Sequence, residues 1–212
     1  MFMYNFYVPL PNIKVDCDRL LQEIKLLVNP DYSKTLCYGL TTHKDHVNDE
    51  NYDFELFPGV LVPPDTTLKT LPSGHKDSEI IHWPKILENS YIQELSKIFC
   101  DELGLSDTRV RCSIVNGTDE KHSIGFHTDP VAPHRIHIAL QTTPETHWMF
   151  KLITGEIIKI HQPANGVPVL IETGMTVHDI FVPSNTQRIH LWYQFHKHVN
   201  KNRFNELKCI TQ

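Results

Sequence analysis

The sequence predicts an α+β chain whose core is an antiparallel sandwich or barrel, a jelly roll with its helices packed on one outer face. Three observations predict it. Two amphipathic helix patterns fall in the first half, the hydrophobic period changes to two from about residue 108, and Gly, Pro and Asn turns divide the alternating runs. The first helix is capped by Asp16 or Asp18 and repeats Leu20, Leu21, Ile24, Leu27 and Val28 at helical spacing, with Asn29-Pro30 as its stop. The second opens on a capping-box pattern, Ser90-Tyr-Ile-Gln93. Its stripe is Ile92, Leu95, Ile98, Phe99 and Leu103, and Gly104 ends it. Residues 41–80 are polar and turn-rich, so loops and an irregular strand or two are expected there, around Gly59-Val-Leu-Val62. Beyond them, Val110, Cys112 and Ile114 alternate with Arg109, Arg111 and Ser113, and Ile136, Ile138 and Leu140 with Arg135, His137 and Ala139. Strands follow at Trp148–Ile153, Glu156–His161, Val167–Glu172, Met175–Val182 and Arg188–Phe195. The expectation is a single domain over 1–212, with its β core at about 108–196 and a helical and loop region at about 1–107.

Composition narrows the function classes. The 212 residues are 40% apolar and 21% charged, which suits one globular domain with a real core. Twenty basic residues against 25 acidic ones, a net charge of −5, argue against binding nucleic acid by bulk charge. No apolar run approaches the ~20 residues that cross a bilayer. The proline-broken N-terminus lacks a basic n-region, so no signal peptide is expected and the location expected is cytoplasmic. Five scattered cysteines (Cys17, Cys37, Cys100, Cys112, Cys209) with no C-x-x-C read as free thiols in a reducing compartment.

Histidine stands out: 14 residues, ten of them after residue 120. Three stretches match H-x-D, namely His43-Lys-Asp45, His75-Lys-Asp77 and His127-Thr-Asp129. Residues i and i+2 of an extended chain point to one side, so an imidazole and a carboxylate at this spacing can share a metal. The first two lie in polar, turn-like stretches and read as solvated loops. His127/Asp129 precedes a strand, His178 follows 51 residues on in another strand, and Arg188 follows His178 by ten. Two imidazoles and a carboxylate form the facial triad of non-haem Fe(II), which leaves coordination sites open for a 2-oxoacid and O2. The far carboxylate of 2-oxoglutarate then needs a cation one strand away, and a guanidinium pairs it bidentately.

The stretches Gly125-Phe-His-Thr-Asp129, Arg135-Ile-His-Ile-Ala-Leu140, Gly166–His178 and Arg188-Ile-His-Leu191 resemble the Fe(II)/2-oxoglutarate-dependent oxygenases, most closely the aspartyl/asparaginyl β-hydroxylase-like branch. The resemblance spans roughly residues 108–196. It implies a double-stranded β-helix (jelly-roll, cupin-like) core and a dioxygenase that hydroxylates an unactivated C–H. The expected substrate carbon is the β-carbon of an aspartyl or asparaginyl residue, a free amino acid or an acyl group. Fe(II) would be held by His127, Asp129 and His178, and 2-oxoglutarate by Arg188, with Arg135, His137 and Ser113 also at the cosubstrate; O2 completes the reaction. Two departures stand out: the segment from Ser113 to His127 is a few residues longer than in that branch, and some of its members lack a counterpart of Asp129.

Other readings stay open at this stage. His127 and His178 fit buried histidines bonded to backbone, Arg135 and His137 the exposed face of a half-buried strand, and Arg188 a surface arginine. A cupin-like metal-binding domain with isomerase or lyase activity, or a non-catalytic binding module, needs no Arg188. The nucleic-acid demethylases of the resembled superfamily carry a second Arg six residues after the first, where this chain has Gln194. The partner expected is a small-molecule or peptidyl substrate, with neither nucleic acid nor membrane.

Overall fold

The computed structural model describes residues 6–33, 35–49, 56–58, 76–118, 123 and 125–210. Helix α1 (Cys17–Glu23) begins where the Asp16 carboxylate accepts the Arg19 N–H at 3.0 Å. The predicted helix runs on to Val28, but Ile24–Val28 is a wider π-helical turn, closed by left-handed Asn29 (φ 48°) ahead of Pro30. Helix α2 (Tyr91–Leu103) is capped by Ser90, whose Oγ accepts the Gln93 N–H at 3.2 Å; Gln93 Oε1 in turn accepts the Asn89 N–H at 2.8 Å. The Glu23 carboxylate also takes the Tyr91 and Ile92 N–H groups at 2.9 and 3.2 Å. An anion there complements the helix dipole and joins the two helices. Ile92, Leu95, Phe99 and Leu103 are buried as their spacing predicts. Ile98 is not part of that stripe: it is 39% exposed, and Tyr91, Ser96 and Cys100 complete the buried face.

Ten strands form two antiparallel sheets among the described residues. The larger is ordered β1 (Tyr7–Pro9), β8 (Val169–Glu172), β5 (His134–Gln141), β10 (Gln187–Phe195), β4 (Arg109–Asn116), β2 (Leu36–Gly39), β3 (Leu56–Pro58). The smaller is β7 (Ile157–Ile160), β6 (His147–Lys151), β9 (Val177–Phe181). The large sheet therefore extends beyond residues 108–196, since the first hundred residues supply three of its strands. These strands are three or four residues long, too short to display a period. Gly59–Val62 lies outside the described residues, as does His75. A third helix, α3 (Lys201–Ile210), had no sequence-based expectation. Its Arg203 bonds the Glu102 carboxylate at 2.6 Å and the Glu102 carbonyl at 2.8 Å.

Both faces of the large sheet are covered. Val110, Cys112, Ile114, Ile136, Ile138, Leu140, Ile189, Leu191 and Tyr193 form one core with Leu20, Ile24, Ile92, Leu95 and Phe99 of the helices. Burying each such side chain contributes about 1.5–3 kcal/mol. A second core lies between the sheets: Tyr7, Trp148, Phe150, Ile158, Val169, Ile171 and Ile180. The alternate, polar positions of β4, β5 and β10 point to that inner side, so Ser113, His137, Arg188 and His190 are buried rather than solvated. Cys17, Cys37, Cys100 and Cys112 are free thiols. No helix among the described residues is long and apolar enough to cross a membrane.

Candidate metal centre

The backbone brings the two predicted imidazoles together. His127 pairs with His178 of β9 by reciprocal N–H to carbonyl bonds of 3.0 and 2.9 Å. Directly opposed residues of an antiparallel pair project to the same side, and the two ring centroids are 4.5 Å apart. Asp129, two residues after His127, is secured by its N–H to the Thr173 carbonyl at 2.9 Å. Thr173 Oγ1 donates to the Ala132 carbonyl at 2.7 Å, which clamps the turn after Asp129 to the end of β8. His127, Asp129 and His178 are the one group of three or more His, Cys, Asp or Glu ligand atoms that converges among the described residues, all within 4.8 Å.

The tautomers follow from the partners. His127 Nδ1 lies 2.7 Å from the Gly125 carbonyl and His178 Nδ1 2.9 Å from the Thr176 carbonyl. A carbonyl only accepts, so each Nδ1 carries the proton and each Nε2 presents a lone pair. Asp129 Oδ2 stands 3.2 Å from His178 Nε2 and 3.9 Å from His127 Nε2. Lone pairs of three groups face one another, and a divalent cation between them makes that arrangement attractive. The Nδ1–H to carbonyl bonds are the outer contacts that orient histidine ligands. The donor set therefore fits a first-row divalent ion such as Fe(II). Burial alone would raise the Asp129 carboxyl, but Arg135, joined by the two imidazoles when they are protonated, outweighs it and holds the group well below the usual carboxylate range. Burial, partly opposed by Asp129, lowers His127 and favours the neutral, ligating form.

Between the two sheets, Arg188 is buried, and its Nη2 donates to His190 Nδ1 at 2.8 Å. Its guanidinium lies 5.1 Å from the Trp148 ring, and no carboxylate among the described residues pairs with it. Burial lowers its pKa to about 9, a fall that Tyr7 partly opposes. His137 is buried against Trp148 (4.6 Å between centroids), Trp192 (5.7 Å) and His190 (6.1 Å), and neither ring nitrogen has a hydrogen-bond partner. Burial, then Arg135 and Arg188, push it well below the ordinary histidine range. Ser113 is buried on β4 in register with His190. Arg135 makes a 2.7 Å ion pair with Asp129 Oδ2.

Among the described residues the other H-x-D stretches supply no such site, and His75 lies outside them. His43 caps a short 3-10 turn, Lys44–His46, its Nδ1 facing the Asp45 N–H at 3.3 Å. Three residues at the site had no sequence-based role. Tyr7 comes from β1, Trp148 reads as part of an apolar run, and His190 sits in the same alternation as Arg188, which was the available signal for it.

Comparison of the sequence with protein-family models and with curated proteins gives no match. Solved structures similar to this chain include a prolyl-4-hydroxylase from Pseudomonas putida. It is 15% identical with a TM-score of 0.40, over 54% of this chain and 67% of that one. A 2OG-Fe(II) oxygenase family oxidoreductase from Burkholderia pseudomallei is 18% identical at a TM-score of 0.38; 51% of this chain covers 53% of it, about half its length. The IDO protein of Bacillus thuringiensis is 13% identical at a TM-score of 0.46, over 85% of this chain and 83% of that one.

Proposed function

We propose that this chain is an enzyme, an Fe(II)- and 2-oxoglutarate-dependent dioxygenase with a double-stranded β-helix core. Its reaction would hydroxylate an unactivated C–H. The observation that carries this reading is the convergence of His127 Nε2, His178 Nε2 and Asp129 Oδ2 within 4.8 Å, on the inner side of two packed sheets. When bound, Fe(II) supplies the redox chemistry that, with O2, converts 2-oxoglutarate to succinate and CO2 and places one oxygen atom on the substrate. The protein's own part is positional. His127, Asp129 and His178 hold the ion, and Asp129 fills the position that a halide would need for halogenation. Arg188, a buried cation without a carboxylate partner among the described residues, suits the far carboxylate of 2-oxoglutarate. His137, with both ring nitrogens unpartnered, and Ser113 offer further polar contacts, while Trp148 and Phe150 keep water out.

The substrate class proposed is an aspartyl or asparaginyl side chain, a free amino acid or an acyl group, oxidised at its β-carbon. A peptidyl or small-molecule partner in the cytoplasm belongs to the same reading, which involves neither nucleic acid nor membrane. The test is anaerobic addition of Fe(II) and then 2-oxoglutarate, which should produce the weak visible charge-transfer band of a chelated 2-oxoacid. Screening amino acids and peptides for succinate release should then find the substrate. Metal binding that 2-oxoglutarate leaves unchanged, with no band, would instead identify a cupin-like metal-binding domain.

A further inference from the structure

Asp129 has two carboxylate oxygens, yet a single one is in demand. Oδ2 faces His178 Nε2 at 3.2 Å and His127 Nε2 at 3.9 Å, and it is also the oxygen that Arg135 Nη1 contacts at 2.7 Å. A divalent ion held by the triad and the Arg135 guanidinium thus draw on the same atom. Two cations sharing one oxygen where solvent penetrates little repel each other strongly. Arg135 has no second carboxylate to turn to among the described residues. Its side chain is 11% exposed, its Nε has no hydrogen-bond partner, and its guanidinium lies 5.8 Å from the Trp192 ring. The other ionisable groups near it are Arg111 of β4, His137 of β5 and Cys37 of β2, whose thiol burial holds in its neutral form, so none supplies a negative charge.

We propose that Arg135 couples metal binding to the binding of a carboxylate ligand, by competing with the metal for Asp129 Oδ2. This rests on the metal reading above. A metal ion that takes Oδ2 loosens Arg135, and a buried guanidinium then needs a new anion. A carboxylate bound beside the triad, such as that of a 2-oxoacid, supplies one within the arginine's reach. Metal and 2-oxoacid then each bind more tightly in the presence of the other, and by linkage the factor is the same in both directions. Part of any such coupling comes from direct chelation of the metal. The part assigned to Arg135 is the part that disappears with its charge.

Co(II) titration of the full chain, with and without 2-oxoglutarate, separates these contributions in wild type, Arg135→Gln and Arg135→Lys. Arg135→Gln should bind Co(II) alone about tenfold more tightly than wild type, since the competing cation is gone. The tightening brought by 2-oxoglutarate should shrink by a similar factor. Arg135→Lys keeps a positive charge in a shorter, less directional side chain and should fall between the two, which provides a reading even if Arg135→Gln does not fold. Variants that bind Co(II) no more tightly than wild type, with the 2-oxoglutarate effect intact, would overturn the competition. Asp129→Asn and His178→Ala keep the two failures apart. If they bind Co(II) as wild type does, or wild type binds none, the metal site itself is wrong; if they lose binding while the Arg135 variants behave as wild type, the coupling alone is wrong.

Discussion

Replacing Arg188 by Met should make the ligand-free protein more stable while removing its response to 2-oxoglutarate. The guanidinium is buried, its one side-chain hydrogen bond among the described residues is the 2.8 Å contact to neutral His190, and burial lowers its pKa to about 9. At about 1.4 kcal/mol for each power of ten, that displacement corresponds to at most about 5 kcal/mol of unfavourable burial. The His190 bond returns about 1.5–3 kcal/mol, and the Trp148 face adds about 0.5–2 kcal/mol. A methionine of comparable length gives up those gains and also the desolvation, for a net stabilisation of about 1 kcal/mol. For a chain of this size that raises Tm by about 2–4 °C. The assay is thermal unfolding of metal-loaded wild type and Arg188→Met under anaerobic conditions, with and without 2-oxoglutarate. Wild type should gain about 2.7 kcal/mol at a hundredfold excess of ligand over Kd, and the variant should gain none. A Tm for Arg188→Met several degrees below wild type would refute the claim that the cation is under-compensated. A retained 2-oxoglutarate shift would refute its role as anchor.

Three further outcomes are expected. His178→Ala should abolish the rise in Tm that Co(II) or Fe(II) gives wild type, and an undiminished rise would place the metal elsewhere. Burial, opposed by Glu172 and aided by His198, lowers the His134 pKa to about 4, so between pH 6.5 and 4 the unfolded chain binds a proton that the folded chain refuses. Stability should therefore fall as pH drops through that window, by at most about 3 kcal/mol from this residue, and His134→Gln should flatten the pH profile of Tm measured with chelator present. Parallel profiles would exclude it. A Cβ at Gly117 would lie 1.8 Å from the Pro183 carbonyl oxygen, so Gly117→Ala must displace the backbone where the end of β4 meets the turn between β9 and β10. It should cost at least about 2–3 kcal/mol, and an unchanged denaturant midpoint would contradict that close approach.

Much of the second half was legible because each long strand alternates. Arg188–Phe195 sends Ile189, Leu191, Tyr193 and Phe195 to one face and Arg188, His190, Trp192 and Gln194 to the other. Period two does not say, however, whether the polar face meets water or lines an interior. Arg135 and His137 were therefore open to reading as a solvated face, although His137 is buried and the Arg135 side chain only 11% exposed. Strands β1 and β2 escaped because a few residues cannot establish a period, yet Tyr7 of β1 lies near enough to Arg188 to affect it. Helix α3 escaped because its sequence, Lys-Asn-Arg-Phe-Asn-Glu-Leu-Lys-Cys-Ile, carries little apolar periodicity; it is tied by Arg203 and packed through Phe204 and Leu207. The spacing of His127, Asp129 and His178 was visible, but the rival claim of Arg135 on Asp129 was not, since nothing in one dimension orders ion pairs across strands.

The reciprocal backbone bonds between His127 and His178 separate anchorage from identity. Main-chain ladder geometry sets the distance between these two positions, so it does not require an imidazole at either one. A cysteine, glutamate or alanine introduced there should still hang from an unmoved scaffold. That makes the pair a convenient mount on which to exchange donor atoms and alter metal preference without rebuilding the sheets around them.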